Sequence, residues 1–178
     1  MRRFLVVVLG VLVAFGVCQA AGENPLANAK VGDWVELKTI NDANGQKTEQ
    51  IKRLEVTKKD DQTITIKTTV TGEGKTPPPT ELARPLDKGF DPPNVGTERK
   101  VIEEGDETIT VGSRSIACQK IKYQVTVPLQ GRKVTVLYTD WTSSAIPLCP
   151  KIKTVIEQHV GKTTMVYTEW LDAFGGSN

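Results

Sequence analysis

The sequence predicts a mainly β protein, built as one antiparallel sheet of about eight to ten strands that is strongly curved or partly closed into an open β-barrel, with little helix. Three observations lead there. Beyond residue 20, Thr, Val, Ile and Lys are plentiful while Leu and Ala fall away, a composition suited to strands. Short segments of alternating polarity are separated by Gly, Asn, Asp and Pro turn signals. Residues 133–141 and 165–170 are apolar on both faces, as strands are in the middle of a covered sheet or along a cavity. A flat sheet of this size would leave an apolar face wet, so closure or a cover is required.

The first residues concern destination rather than fold. Arg2 and Arg3 precede an almost unbroken apolar run from Phe4 to Val17, and Cys18-Gln19-Ala20 places small residues at −3 and −1 of a cut after Ala20. A transmembrane anchor is the alternative, but this run falls short of the roughly 20 residues that span a bilayer. A lipid on Cys18 would ask for a small residue before it, where Val17 stands. Residues 1–20 are therefore read as a signal peptide and residues 21–178 as a single exported β domain, periplasmic or extracellular and not integral to the membrane after cleavage.

Cleavage changes the charge and cysteine counts. The leader carries two arginines and no acid, so 23 basic residues become 21 against 21 acidic ones. No overall field remains to steer nucleic acid, and with eight aromatic residues left the stacking platforms of single-strand binders are lacking. Three cysteines become two, Cys118 and Cys149. An even count in an exported chain predicts a disulfide between them, closing a loop of about 30 residues and adding roughly 3–4 kcal/mol if unstrained; the alternative is two separate buried thiols.

After a loose leader from Gly22 to Ala29, Gly32-Asp33 reads as a turn into a strand with Val35 and Leu37 on one face and Trp34, Glu36 and Lys38 on the other. Asn44-Gly45 is a hairpin signal. Glu49 to Lys58 follows with Leu54 and Val56 inward, then the turn Lys59 to Gln62, then an inward face of Ile64, Ile66, Thr68 and Val70. This opening portion reads as a β-meander.

Asn24-Pro25-Leu26, with Ala29 to Val35 behind it, resembles the start of a broad set of uncharacterised exported bacterial proteins, many from planctomycetes. Those proteins close with a segment similar to Trp141 to Pro147, an aromatic position before a Ser…Ile-Pro turn. The resemblance implies an exported antiparallel β domain, similar to the open barrels of periplasmic lipoprotein carriers, and brings no activity or catalytic residue. Relatives often have Gly after that Pro; Leu148-Cys149-Pro150 stands here instead, and the expected disulfide falls at this departure.

Residues 76–95 interrupt the pattern with six of the chain's ten prolines. Proline removes ladder donors, so no central strand runs through the segment. It reads as a stiff crossover between two halves of a sheet, with Leu82, Ala83, Leu86 and Phe90 folding it back; a lid or a polyproline peptide segment is the functional alternative. Glu98 to Glu103 and Glu107 to Gly112 then read as two strands around Gly105-Asp106. In Ile116 to Val127 the apolar positions change from even (Ile116, Cys118) to odd (Ile121, Tyr123, Val125), which predicts a β-bulge near Gln119-Lys120, before Pro128 ends the strand. Ile152 to Val160 is a half-buried strand, and Leu171 to Phe174 a closing turn.

Catalytic chemistry is sparse. His159, the single histidine, falls on the exposed face of its strand, and no Gly-x-Ser-x-Gly elbow accompanies Ser143 and Ser144. No metal site or cofactor is expected. Val136 to Trp141 returns 29 positions later as Met165 to Trp170, setting Asp140 and Glu169 each beside a Trp and two positions from a Tyr. Were those strands neighbours, the two carboxylates would face one cleft as a hydrolase acid/base pair. The leading expectation is instead a non-catalytic exported domain binding a lipid or other apolar ligand in a sheet concavity lined by Tyr138, Trp141, Met165, Tyr167 and Trp170. A structural or envelope-protein interaction module is the alternative.

Overall fold

Asn44 and Gly45 set the first hairpin. Their φ angles of 54° and 88° are the left-handed pair a two-residue turn needs. β1 (Trp34–Ala43) therefore folds directly back as β2 (Gln46–Lys59). At the next turn the Asp60 carboxylate accepts hydrogen bonds from the backbone N–H groups of Gln62 and Thr63 and from the Thr63 hydroxyl. These bonds hold Asp60 below the usual carboxylate range and lead into β3 (Thr63–Gly72). The computed structural model describes residues 24–72, 76–87, 99–129, 132–160 and 163–176, so the expected signal peptide and Phe90 lie outside it.

The remaining strands are β4 (Thr80–Pro85), β5 (Arg99–Val111), β6 (Arg114–Leu129), β7 (Arg132–Thr142), β8 (Lys151–Val160) and β9 (Thr163–Gly175). All nine form one antiparallel sheet in the order β4-β3-β2-β1-β9-β8-β7-β6-β5. It is an unclosed sheet, and β5 touches β9 across three intervening strands, so it curls strongly. Two meanders are thus joined at the centre by the first and last strands. β4 and β5, consecutive in the chain, are the two opposite edges. The Pro-rich stretch supplies an edge strand and then the link between the edges, as proline's missing donor requires.

Val35, Leu37, Val56, Ile64, Ile152 and Leu171 form the centre of the core. Ile146 and Leu148 of the β7–β8 connection and Leu26 of a short 3-10 helix (Pro25–Asn28) pack onto it. The expected loose leader is therefore ordered from Asn24. The Asn24 side chain accepts from the Leu26 N–H, and Lys59 donates to the Ala27 and Ala29 carbonyls at 2.6 and 2.7 Å.

Four local expectations are corrected. Gly105-Asp106 is not a turn: β5 runs unbroken through it, paired with the longer β6. No bulge occurs at Gln119-Lys120; the register of β6 is regular there on both sides, and the extra residue lies across from it at Ile102. The buried positions change parity because β6 outgrows β7, whose pairing stops at Thr142. Beyond that point the β5–β6 hairpin end turns its other face, Val111, Ile116 and Cys118, into the core. Pro128 does not end β6: among the described residues the strand pairs there with β7 alone, so no bond to β5 is lost. Leu171 to Phe174 continues β9 rather than turning, held by the pairs Leu37↔Leu171 and Val35↔Phe174 with Asp172 bulged between them.

Candidate functional site

Directly opposed residues of antiparallel strands share a face, so rows of side chains follow from the register. Three rows cross the inner face, the face that carries Leu37 and Leu171. The first runs Ile121, Asp140, Thr154, Glu169, Thr39 over β6, β7, β8, β9 and β1. Tyr123, Tyr138, Ile156, Tyr167 and Asn41 follow in the second. The third is Arg99, Val125, Val136, Gln158, Met165 and Ala43.

The first row is a buried polar seam. Asp140 accepts from the Tyr123 hydroxyl at 3.0 Å and the Thr154 hydroxyl at 2.8 Å, and pairs with the Lys151 ammonium at 3.0 Å. Glu169 accepts from the Tyr167 hydroxyl at 3.0 Å, the Thr39 hydroxyl at 3.3 Å and the Lys52 ammonium at 3.1 Å. Asp140 and Glu169 thus each gather a tyrosine, a threonine and a lysine, but only Glu169 takes its tyrosine from the Tyr-Thr-acid-Trp echo, since Tyr123 reaches Asp140 from β6. Burial, then the neighbouring acid, raises the phenols of Tyr123, Tyr138 and Tyr167 above the usual range, keeping them protonated donors.

β8 stands between β7 and β9, so the strands of the two acids lie about 10 Å apart at ~4.8 Å per step. Each acid is matched by its own lysine. The structure brings Asp140 and Glu169 into one row but into no shared cleft of the kind acid/base hydrolysis needs.

With two tyrosine hydroxyls engaged by the seam, the second and third rows form an aromatic and aliphatic trough. Tyr123 and Tyr138 stack at 5.1 Å with ring planes 4° apart, and the Arg99 guanidinium lies 3.8 Å over Tyr123. Tyr123, Val136 and Ile156 are buried, Val125, Tyr138 and Tyr167 half-buried, and Met165 36% exposed.

Of the five expected ligand residues, Tyr138, Met165 and Tyr167 lie on this trough. Trp141 and Trp170 occupy the opposite face, in an alternating row Lys38, Trp170, Lys153, Trp141, Lys120. There the ammonium of Lys153 sits 4.8 Å from the Trp141 ring and that of Lys38 5.8 Å from Trp170. Trp141 is buried and donates to Glu107 at 3.0 Å. Sequence reasoning missed Tyr123, Val125, Val136, Ile156 and Arg99. Alternation already set the first four on consistent faces of their strands; only register could join them.

An apolar slot of about 90 Å³ lies between Leu26, Leu37, Leu54, Ile66, Leu82 and Leu148, and also touches Cys149, Lys151 and Glu169. It is smaller than the several hundred Å³ expected of an enclosed lipid site. Two larger hollows, about 520 Å³ beside Glu107, Cys118 and Ser143 and about 740 Å³ beside Asp60 and Leu86, are open surface clefts of mixed polarity.

The expected disulfide is absent from the structure: Cys118 and Cys149 are free, buried thiols. They line different hollows and donate to different carbonyls, Cys118 to Ile116 at 3.5 Å and Cys149 to Lys151 at 2.7 Å. Burial raises both thiols, Cys149 up to about 12 with Glu169 adding to the effect. His159 is exposed, its ring nitrogen 3.0 Å from the Thr164 hydroxyl. Among the described residues no group of three His, Cys, Asp or Glu could hold a metal, and no helix is long and apolar enough to cross a membrane.

No family model matches the chain, and no curated protein does. A solved structure from Bacteroides fragilis, a protein with a YmcC-like fold inferred to be exported, aligns with 82% of this chain and 96% of its own at TM-score 0.51 and 11% identity. The hypothetical lipoprotein YmcC of Escherichia coli aligns with 77% of this chain and 87% of its own at TM-score 0.35 and 14% identity, too loose a likeness to argue from. What the first comparison establishes is shared architecture: the chain folds as an open antiparallel β sheet of the kind seen in that Bacteroides protein.

Proposed function

We propose that this is an exported, non-catalytic binding domain that takes the apolar part of a lipid-like ligand against the inner face of its sheet. The observation that carries the reading is the trough. Tyr138, Ile156, Tyr167, Val125, Val136 and Met165 form an apolar surface across four strands, interrupted on β8 by Gln158. Its floor is tied down by the Tyr123–Asp140 and Tyr167–Glu169 hydrogen bonds. Such a surface suits one extended chain of a ligand lying across the strands better than an enclosed lipid. Export is supported by the basic, apolar, small-residue order of residues 1–20 and by the likeness to a Bacteroides protein inferred to be exported. The paired carboxylates, each held by its own lysine, favour binding over hydrolysis. Similarity to periplasmic lipoprotein carriers belongs to the same reading.

Native mass spectrometry of protein purified from the envelope of its own host tests it. A co-purifying mass of lipid size is expected, and its loss when Tyr138 and Tyr167 are both changed to Ser. Repeated ligand-free spectra would refute it.

A second reading, an envelope-protein interaction module, draws on the β5 edge, where Val101 and Ile102 are 46% and 52% exposed. Photo-crosslinking from position 102 in the native envelope decides it: a discrete adduct is expected, and a blank result across preparations removes it.

A further inference from the structure

We propose that the β5 edge pairs with the β5 edge of a second copy of this chain, in one register centred between Val101 and Ile102; this rests on the second reading above and names the partner of that edge. β5 closes one side of the sheet and, among the described residues, pairs with β6 alone, so its outer N–H and C=O groups are open to another strand. Its far end turns into the core through Ile109 and Val111, beside which the Arg114 guanidinium lies 4.8 Å from the Phe174 ring of β9. Residues 99–104 are the open stretch, exposed at every position.

That stretch reads Arg99-Lys100-Val101-Ile102-Glu103-Glu104, two bases, two apolar residues and two acids. Laid antiparallel on itself about a two-fold axis, it sets Lys100 against Glu103, Val101 against Ile102 and Arg99 against Glu104, each contact made twice. A regular strand could not use this register. Opposed residues share a face, whereas Lys100 and Glu103 are three apart and Arg99 and Glu104 five, odd spacings that alternation puts on opposite faces. The bulge at Ile102 removes the conflict. Across β6, Arg99, Val101 and Glu104 oppose Val125, Tyr123 and Ile121 on the inner face, while Lys100 and Glu103 oppose Gln124 and Lys122 on the outer one. Slid by two residues either way, the strands would set Val101 and Ile102 against charged side chains.

The charges suit that register. Lys100 and Glu104 enter no ion pair among the described residues. Glu103 accepts from Lys120 of its own chain at 2.8 Å, which holds its carboxylate on the outer face, where a second ammonium would reach it. Arg99 keeps its stack on Tyr123 and puts no second acid before Glu104. Six residues from each chain make a small contact, so the pair is weak and comes apart on dilution.

Sedimentation velocity of the full chain, purified from its host envelope and run over a rising concentration series, tests this. A reversible dimer is expected. Lys100→Glu and Glu103→Lys should each raise the dissociation constant about tenfold, because both symmetric pairs become like-charged. Mixing these two variants should recover the dimer, since each chain then meets the opposite charge twice, and a folding defect would not recover on mixing. A monomer at every concentration, or a dimer that both substitutions leave unchanged, overturns the self-pairing. Photo-crosslinking from position 102 then separates it from the reading beneath it. An adduct with a different protein overturns the second copy and leaves the β5 edge a docking site; no adduct at all overturns both.

Discussion

Lys151 is 8% exposed, and its ammonium lies 3.0 Å from Asp140, so removing either partner strands a buried charge. Asp140→Ala should lower the unfolding free energy by about 3–5 kcal/mol, read by urea denaturation. The double variant Asp140→Leu with Lys151→Met should lose less than Asp140→Ala alone, because an apolar pair leaves no charge without a counterion. A second residue-scale test concerns Gly175. A Cβ there would meet the Trp34 ring at 2.9 Å, and that ring is backed by Arg53, whose guanidinium lies 4.1 Å from its centre. Gly175→Ala should therefore cost about 1–3 kcal/mol through overpacking, whereas Gly105→Ala, with open space around it, should not. Neither effect is legible in the sequence. The Asp140–Lys151 pair depends on Ile152 being bulged out of β8 where it meets Trp141 and Thr142, which alternation along one strand does not show.

At the scale of elements, composition and punctuation were enough for the N-terminal meander. Asn44-Gly45 and Asp60 each act through bonds among a few adjacent residues, and local information suffices for local geometry. Long-range information was missing where expectations failed. Gly105-Asp106 has turn-forming composition, but the sixteen-residue β6 beside it pairs straight through and holds it extended. The parity change in β6 records which neighbour is present at each end, not an inserted residue. The candidate site was half legible for the same reason: its residue types could be picked out, but five strands had to be placed in register before Arg99 and Tyr123 joined it. Position within the sheet also predicts dynamics. Amide hydrogen exchange should be slowest in β1, β8 and β9, which have partners on both sides and cover the core, and fastest in the edges β4 and β5. Protection in β4 equal to that in β9 would contradict this arrangement.

For the molecule as a whole, the buried acids that keep their protons dictate the response to alkali. Cys149 is pushed from 9.0 up to about 12, and Tyr123, Tyr138 and Tyr167 lie above their ordinary 10.0. The folded chain retains protons that the unfolded chain releases, so stability falls as pH rises. Their contribution should be complete below pH 9, decline toward 12 through Cys149, and decline further above 10 through the tyrosines. Urea titrations at pH 8 and 11 should show the loss, and Cys149→Ala with Tyr123→Phe should reduce it. Thiol labelling gives a companion result: without reductant, neither Cys118 nor Cys149 should react in the native protein, and both should react in guanidinium.

The central pairing of β1 with β9 has one more consequence. Trp34 faces Gly175 in the register, and Gly176 lies beside Asp33, so the start of β1 and the end of β9 are neighbours. A circular permutant joined there by a short linker and opened between β4 and β5 would run β5 to β9 and then β1 to β4. In it, every strand is followed in sequence by its neighbour in the sheet. The crossover between the edges disappears, and with it the most distant pairing the natural chain must find. Stopped-flow refolding should be faster for the permutant than for the natural chain, because nine strands can then add one after another.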